Sequence, residues 1–361
     1  MYDLLPKAPP LFIMSAMILR PKSSPRHPGT LHGATAVTPA VPVPAWLRRA
    51  VLDVQGLAGK DAEDIALTAG AALAALDAVV RRQEQWAGAW RQRLALSAAA
   101  VTAKQAGRVE DEAALRDAML LARPGDILSG STTLGPAGSM LRAWRRLAGT
   151  PAEKLLTEAS IGAVLDDLGL RRDDDAVGEL ADELRQLSAG IGIVGMLIGA
   201  FTAAERYGFA RAVGCWLADA LLAQRLGWTH AIPLLGADAT LVVGTGRARR
   251  PVAAALAAGA EAESDRAKSL LAAQARAALR AIDLSAELER RAGRLLAVAP
   301  KLRAKAADAV VEKLLSDDAI VASEKIAGMS DRGLRRLFDR LVELGAVREL
   351  SGRPTFRIYG L

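Results

Sequence analysis

Apolar positions recur with a helical period through most of this chain. In "KDAEDIALTAGAALAALDAVVRR", Ile65, Ala69, Leu73, Leu76 and Val80 fall on one stripe, which predicts a helix. Asp61, Glu63 and Asp64 stand at its start and Arg81 and Arg82 at its end, an order the helix dipole favours. A second helix is predicted over residues 86–105, with Trp86, Trp90, Leu94, Ala98 and Val101 aligned. A third, "VEDEAALRDAMLLA", again opens on acids. "RPGDILSGSTTLGP" then reads as a loop, because Pro124, Gly125, Gly130, Gly135 and Pro136 forbid a regular element. No Gly-Lys-Ser/Thr follows, so it lacks the signature of a phosphate-cradling loop. Thr150, Pro151 and Glu153 have the spacing of a capping box, and a charged helix follows at about 175–187.

The stretch "LSAGIGIVGMLIGAFTAA", residues 187–204, holds no charge and contains Gly195 and Gly199 as a GxxxG pair. Its length reaches the threshold of a membrane span. Its glycines lower its hydrophobicity and no aromatic belt flanks it, so a fully buried helix in an all-α core is the expectation. The next segment, "GCWLADALLAQRLG", carries Asp219 and Arg225. "ATLVVGTGRARRP" is the one strong β-like run in this region, a short strand or turn. Helices resume over 252–298, and Pro300 interrupts them.

The pattern changes after Lys301. A helix over 303–315 turns Ala307, Val310, Val311, Leu314 and Leu315 inward. "SDDA" turns, Ile320 and Val321 make a short strand, and "SEKIAG" is expected as a short second helix ending at Gly328. Ser330 is a natural N-cap, with Asp331 beside it at the positive end of the dipole. Leu334, Leu337, Phe338, Leu341 and Leu344 form one apolar stripe, and Arg332, Arg335, Arg336 and Arg340 fall on the other side. Gly345 stops that helix. Residues 347–350 and 355–359 are then expected to pair as a hairpin, with Phe356 and Ile358 inward and Arg353 at its tip.

This order is the layout of a winged helix-turn-helix carrying a small β-hairpin. The fold class expected is therefore an all-α body, a helical bundle, followed by that module. Three segments are expected: a disordered proline-rich tail over 1–44, a helical body over 45–300 with a sub-boundary near 124–150, and the module over 301–361. The tail includes "LFIMSAMIL", which lacks the basic start and cleavage site of a secretory signal. It reads as an unstructured extension, with Met14 and Met17 as alternative starts.

Composition narrows the chemistry. Hydrophobic residues make up 51% of the chain, which excludes global disorder. One cysteine, Cys215, excludes a disulfide framework and a cysteine-based zinc site, and favours a reducing cytoplasm. The net charge of +7 is concentrated at the two ends, while the middle is nearly neutral. That distribution argues for a localised polyanion contact. His27 and His32 have no third ligand nearby. His230 lacks a nucleophile partner and reads as structural. Asp166, Asp167 and the run 173–175 read as solvated helix ends. No catalytic, cofactor or metal residues are expected.

From about Leu31 the chain resembles an uncharacterised alanine- and arginine-rich alphaproteobacterial family of unknown function. The phrases that carry the likeness are "AGAALAALDAVV", "WRQRLALSAAA", "GRVEDEAALRDA", "LADALLAQRLGW", "VAPKLRAKAADAVV" and the closing "MSDRGLRRLFDRLVELGAVRELSGRPTFRIYGL". Its tail "RLVELGAVRELSGR" is also similar to those of Fic-type proteins, which transfer AMP. Their motif runs His, Phe, acid, Gly, Asn, Gly, Arg and a second Arg. Here "GTGRARRP" offers Gly244, Gly246, Arg247 and Arg250, but the histidine position is Ala239 and the asparagine position Thr245. That likeness implies a catalytically dead relative.

The expected function is DNA binding, as a cytoplasmic bacterial transcriptional regulator or a mobile-element accessory factor. The partner is double-stranded DNA, held by Ser330, Arg332, Arg335, Arg336, Arg340 and Arg353, with the body supplying a homodimer contact and no membrane involved. The alternatives are a protein-docking adaptor and the dead Fic-like relative.

Overall fold

A computed structural model describes residues 43–52, 61–121, 135–171, 173–190, 192–241, 252–353 and 355–361, with backbone alone for 252–262. Thirteen α-helices and three short strands lie among the described residues. They begin with α1 (Ala45–Leu52), α2 (Ala62–Arg81), α3 (Ala87–Gln105), α4 (Glu112–Leu120) and α5 (Gly135–Gly149). A single turn, α6 (Ala152–Leu155), precedes α7 (Glu158–Asp167), α8 (Asp174–Gly190), α9 (Ile193–Arg206) and α10 (Arg211–Arg225). A 3-10 turn at Leu235–Ala237 comes before α11 (Val252–Val298), which at 1.5 Å per residue is about 70 Å long. The rest is α12 (Ala307–Ser316), β1 (Ile320–Val321), α13 (Asp331–Glu343), β2 (Arg348–Glu349) and β3 (Ile358–Gly360).

Alanine on the inward faces lets these helices pack with short side chains between them: Ala72, Ala95, Ala98, Ala99, Ala218 and Ala278 are fully buried. α2 lies along α11, α3 along α5, and α9 along α10. Tryptophans fill the larger gaps, and three of them find buried partners for their N–H, while that of the buried Trp86 has none among the described residues. Trp90 donates to the Ala281 carbonyl at 2.9 Å, Trp144 to the Thr102 hydroxyl at 3.0 Å and Trp216 to the Ala143 carbonyl at 3.1 Å. Burying one such ring removes roughly 200 Å² from water, about 5 kcal/mol before the cost of ordering it.

Several elements depart from the sequence pattern. The uncharged stretch 187–204 is two helices, not one. α8 ends at Gly190 and α9 starts after Gly192, whose backbone is extended. Glycine there weakens the helix, and the break folds α9 back so that Gly199 lies against Leu187, where a Cβ would come within 2.7 Å. No helix among the described residues is long and apolar enough to cross a membrane. Thr150 caps nothing. Pro151 forms a β-bridge with His230 instead, and Thr157 caps the next helix by accepting from the Ser160 amide. Asp167 is not a solvated helix end but a buried one, held by Arg142 at 2.6 Å and Arg146 at 3.1 Å. The tail through residue 42, the loop over 122–134, and the segment 242–251 with its "GTGRARRP" lie outside the described residues.

Buried carboxylates tie distant elements together. Asp238 accepts from Arg276 at 3.0 Å and Arg280 at 3.2 Å on α11. Burial would raise its carboxyl; the hydrogen bonds from Arg276 and Thr240, with the charges of Arg276 and Arg280, outweigh that and hold it below the ordinary carboxylate range. Asp318, just before β1, is fully buried between Arg116 of α4 (3.1 Å) and Arg145 of α5. Asp219 makes no ion pair among the described residues. It accepts the amides of Leu234 and Leu235, starting the 3-10 turn, and burial pushes its carboxyl up to about 8. Burial also pushes the Cys215 thiol up to about 12, which leaves it unreactive at neutral pH.

Candidate nucleic-acid interface

The segment from α12 onward forms a helix, a strand, a second helix and a hairpin. β3 is the central strand of its sheet, antiparallel to both β1 and β2 in the order β1-β3-β2. The Phe338 ring of α13 stacks on Tyr359 of β3, with centroids 4.3 Å apart. Leu334, Leu337, Phe338 and Leu341 are buried in this contact. The apolar core runs on without a gap from the body into this segment, across the 3-10 turn at Ala299–Lys301 that follows α11. Asp318, with its two body arginines, adds a polar tie.

α13 starts where the sequence expects. The Ser330 hydroxyl accepts the Gly333 amide at 3.1 Å, from an extended backbone. Asp331 lies beside that N-terminus, and the Lys325 ammonium 3.0 Å away holds its carboxyl below the ordinary range. Arg332, Arg335, Arg336 and Arg340 are all exposed. At 3.6 residues per turn they occupy an arc of about 140°, opposite the buried stripe. Arg340 pairs with Glu343 at 2.6 Å, while Arg332, Arg335 and Arg336 make no ion pair among the described residues. Asp339 and Glu343 are exposed on the same helix and interrupt the positive surface.

Three expectations about this segment need correction. "SEKIAG" is not a helix: it forms turns, with Gly328 at φ +80°, and its charges are tied sideways, Glu324 to Lys313 and Lys325 to Asp331. Phe356 points to solvent, 69% exposed, with φ +56°. The strands pair only over Arg348–Glu349 and Ile358–Gly360, so the in–out alternation does not reach Phe356. Leu344, at the C-cap, is 39% exposed rather than buried with the stripe. Arg353 does lie in the β2–β3 connection, but its guanidinium pairs with Asp117 of α4 at 2.6 Å. Ala319, Val321 and Ile358 also pack near Leu120 and Leu121, so the hairpin leans on the C-terminal end of α4.

The sequence reading missed Lys325, Arg348 and Arg357, cations carried by the same segment. Arg348 and Arg357 are exposed; Arg357 lies 3.8 Å from Glu349 and 3.9 Å from Asp339. In the sequence Arg348 and Arg357 stood as one cation in each half of the expected hairpin, and Lys325 stood within "SEKIAG". His230 is half-buried, and burial, then the Arg91 charge, lowers its imidazole. Among the described residues no group of three or more His, Cys, Asp or Glu could hold a metal ion.

No curated protein and no solved structure matches the chain. A single family match takes in body and arginine-faced segment alike, over residues 34–361, and the chain belongs to that family, described as "Protein of unknown function (DUF1403)".

Proposed function

We propose that the chain is a DNA-binding protein whose C-terminal segment acts as a winged helix. The observation that carries this reading is the exposed arginine face of α13, opposite its buried stripe. The sheet order β1-β3-β2 also supports it, because it is the order of a winged helix with its second helix reduced to turns. In this reading α13 enters the major groove. Arg332, Arg335, Arg336 and Arg340 reach phosphates and guanine edges, and the Ser330 end of the helix faces a phosphate. Arg353 fixes the wing against Asp117, and would reach the duplex only by exchanging that carboxylate for a phosphate. The segment is proposed to act in the cytoplasm, where the DNA is.

A second reading, docking to a protein, is favoured by the exposed apolar side chains of Val342 and Leu344 at the C-terminal end of α13 and of Phe356 in the β2–β3 connection. Binding to a mixed-sequence duplex at rising salt separates the two. DNA binding predicts a log–log salt slope that falls by about 0.9 for each phosphate-contacting arginine removed, so Arg332→Ala with Arg336→Ala lowers it by about 1.8. Absent binding, or binding indifferent to salt, overturns the DNA reading.

A further inference from the structure

A cleft of about 230 Å³ opens in the body between α3, the start of α4, α11 and the turn Leu235–Ala237. Arg93, Ser97, Glu112 and Arg280 supply its polar lining, and Leu94 and Leu284 are among its apolar walls. Arg93 is the residue of interest. One of its terminal nitrogens donates to the Leu361 carbonyl at 2.9 Å and to the Asp318 carbonyl at 3.4 Å, both in the C-terminal segment. Its Nε–H is buried and has no partner. A buried donor left unpaired on a charged group is costly, and because this atom is closed to solvent, an acceptor in the cleft would relieve it only by drawing the Arg93 side chain toward itself. Arg280 is half-exposed. It gives one nitrogen to Asp238 at 3.2 Å and, with five N–H donors in a guanidinium, keeps others to offer. Arg116, Arg291 and Arg348 add their charge around Arg93, countered there by Asp318.

We propose that this cleft binds a small carboxylate with an apolar body, its oxygens on Arg93 and Arg280 and its hydrocarbon against Leu94 and Leu284. The volume lies below the range of about 300 Å³ and upward that holds drug-sized ligands, so the occupant is a small molecule. Glu112 in the lining disfavours a phosphate dianion more than a singly charged carboxylate. The apolar walls match a hydrocarbon and leave a bare inorganic anion nothing to bury. Arg93 also gives the cleft a reach beyond itself. A ligand that draws its guanidinium inward acts on the hydrogen bonds to Asp318 and Leu361, and so on the seat of the segment that carries α13. This coupling rests on the DNA-binding reading; the ligand site does not.

Calorimetry with benzoate and hexanoate on the full chain is the test, with inorganic phosphate alongside. The expected result is saturable binding of at least one carboxylate in the millimolar range, no comparable binding of phosphate, and a loss of about tenfold or more in Arg280→Gln. Ser97→Trp, which fills the cleft, abolishes it; should that variant fail to fold, Arg280→Gln carries the test, since Arg276 still holds Asp238. No saturable heat with either carboxylate overturns the site, as does equal binding by Arg280→Gln. Phosphate binding as tight as the carboxylates overturns the assignment of ligand class. For the coupling, saturating carboxylate changes the apparent affinity for duplex DNA at fixed salt by about fivefold or more. An unchanged affinity overturns the coupling while the calorimetry stands. DNA binding absent in every condition overturns the function proposed above and leaves the site's own result untouched.

Discussion

Replacing Asp318 by asparagine should loosen the C-terminal segment from the body. The carboxylate is fully buried, and its two oxygens are divided between Arg116, whose side chain is 11% exposed, and Arg145, at 21%. Asparagine keeps the shape and removes the charge, so both guanidiniums lose that counterion in a place where water reaches them poorly. Breaking a buried pair by deleting one member costs about 3–5 kcal/mol. The residual exposure of both arginines lets solvent recover part of this, which puts the expected loss near the lower end, about 3 kcal/mol. Against a total stability of order 5–15 kcal/mol, that is a large fraction. With a urea m-value of about 3 kcal/mol/M, the midpoint falls by about 1 M. Amide exchange should accelerate first in α12 and α13 rather than in α2, because Asp318 ties only the C-terminal segment to α4 and α5. The triple change Asp318→Leu, Arg116→Met, Arg145→Met should restore most of the lost stability, since an apolar replacement of similar volume removes the desolvation penalty with the charges. A midpoint shift below about 0.2 M for Asp318→Asn with m unchanged, or a triple variant worse than the single one, would refute the reasoning.

Two further outcomes follow from the body. Asp219 has its folded carboxyl raised to about 8, above the unfolded value near 3.9, so the native state holds the extra proton between those values. Stability should therefore decline as pH rises from about 4 to about 8, and Asp219→Asn should remove up to about 1.4 kcal/mol per pH unit of that slope in parallel denaturant titrations. Gly236→Ala brings a Cβ to 2.1 Å from the Trp144 ring, which is buried and cannot retreat; a loss of about 3 kcal/mol is expected by thermal melting, and Trp144→Leu in the same chain should recover part of it.

The helices were legible because amphipathic periodicity is a local property. Of the five residues placed on the stripe of α2, four are buried and Leu73 is partly so. The Ser330 cap and the arginine face of α13 were legible for the same reason: both are set within one short stretch, residues 330–340. What failed was decided by partners far along the chain. Thr150 has a cap's spacing, but the Ala152 amide goes to the Thr229 carbonyl at 2.9 Å. The uncharged run 187–204 has a helix's composition, but one helix ends at Gly190, the next starts after Gly192, and α9 packs on α10. The cleft was illegible because Arg93, Glu112 and Arg280 come from three separate helices.

The same distinction bears on charge. A net surplus of cations cannot reveal which of them are already engaged, and in the body many are. Arg142 and Arg146 answer Asp167, Arg276 and Arg280 answer Asp238, and Arg116 and Arg145 answer Asp318. In each case two guanidiniums share one buried carboxylate, so each knot keeps a unit of positive charge, but holds it inside or at the edge of the core. α13 is built the other way. Its acids lie outside with its arginines, its buried stripe is wholly apolar, and three of its four guanidiniums make no ion pair among the described residues. An arginine whose partner is a buried aspartate must break a structural tie to meet a phosphate; Arg332, Arg335 and Arg336 would break no ion pair. If a duplex binds as proposed, the affinity contributed by Arg332, Arg335 and Arg336 would come without the loss of an ion pair, whereas any gained from Arg340 or Arg353 would be diminished by the separation of its pair with Glu343 or Asp117.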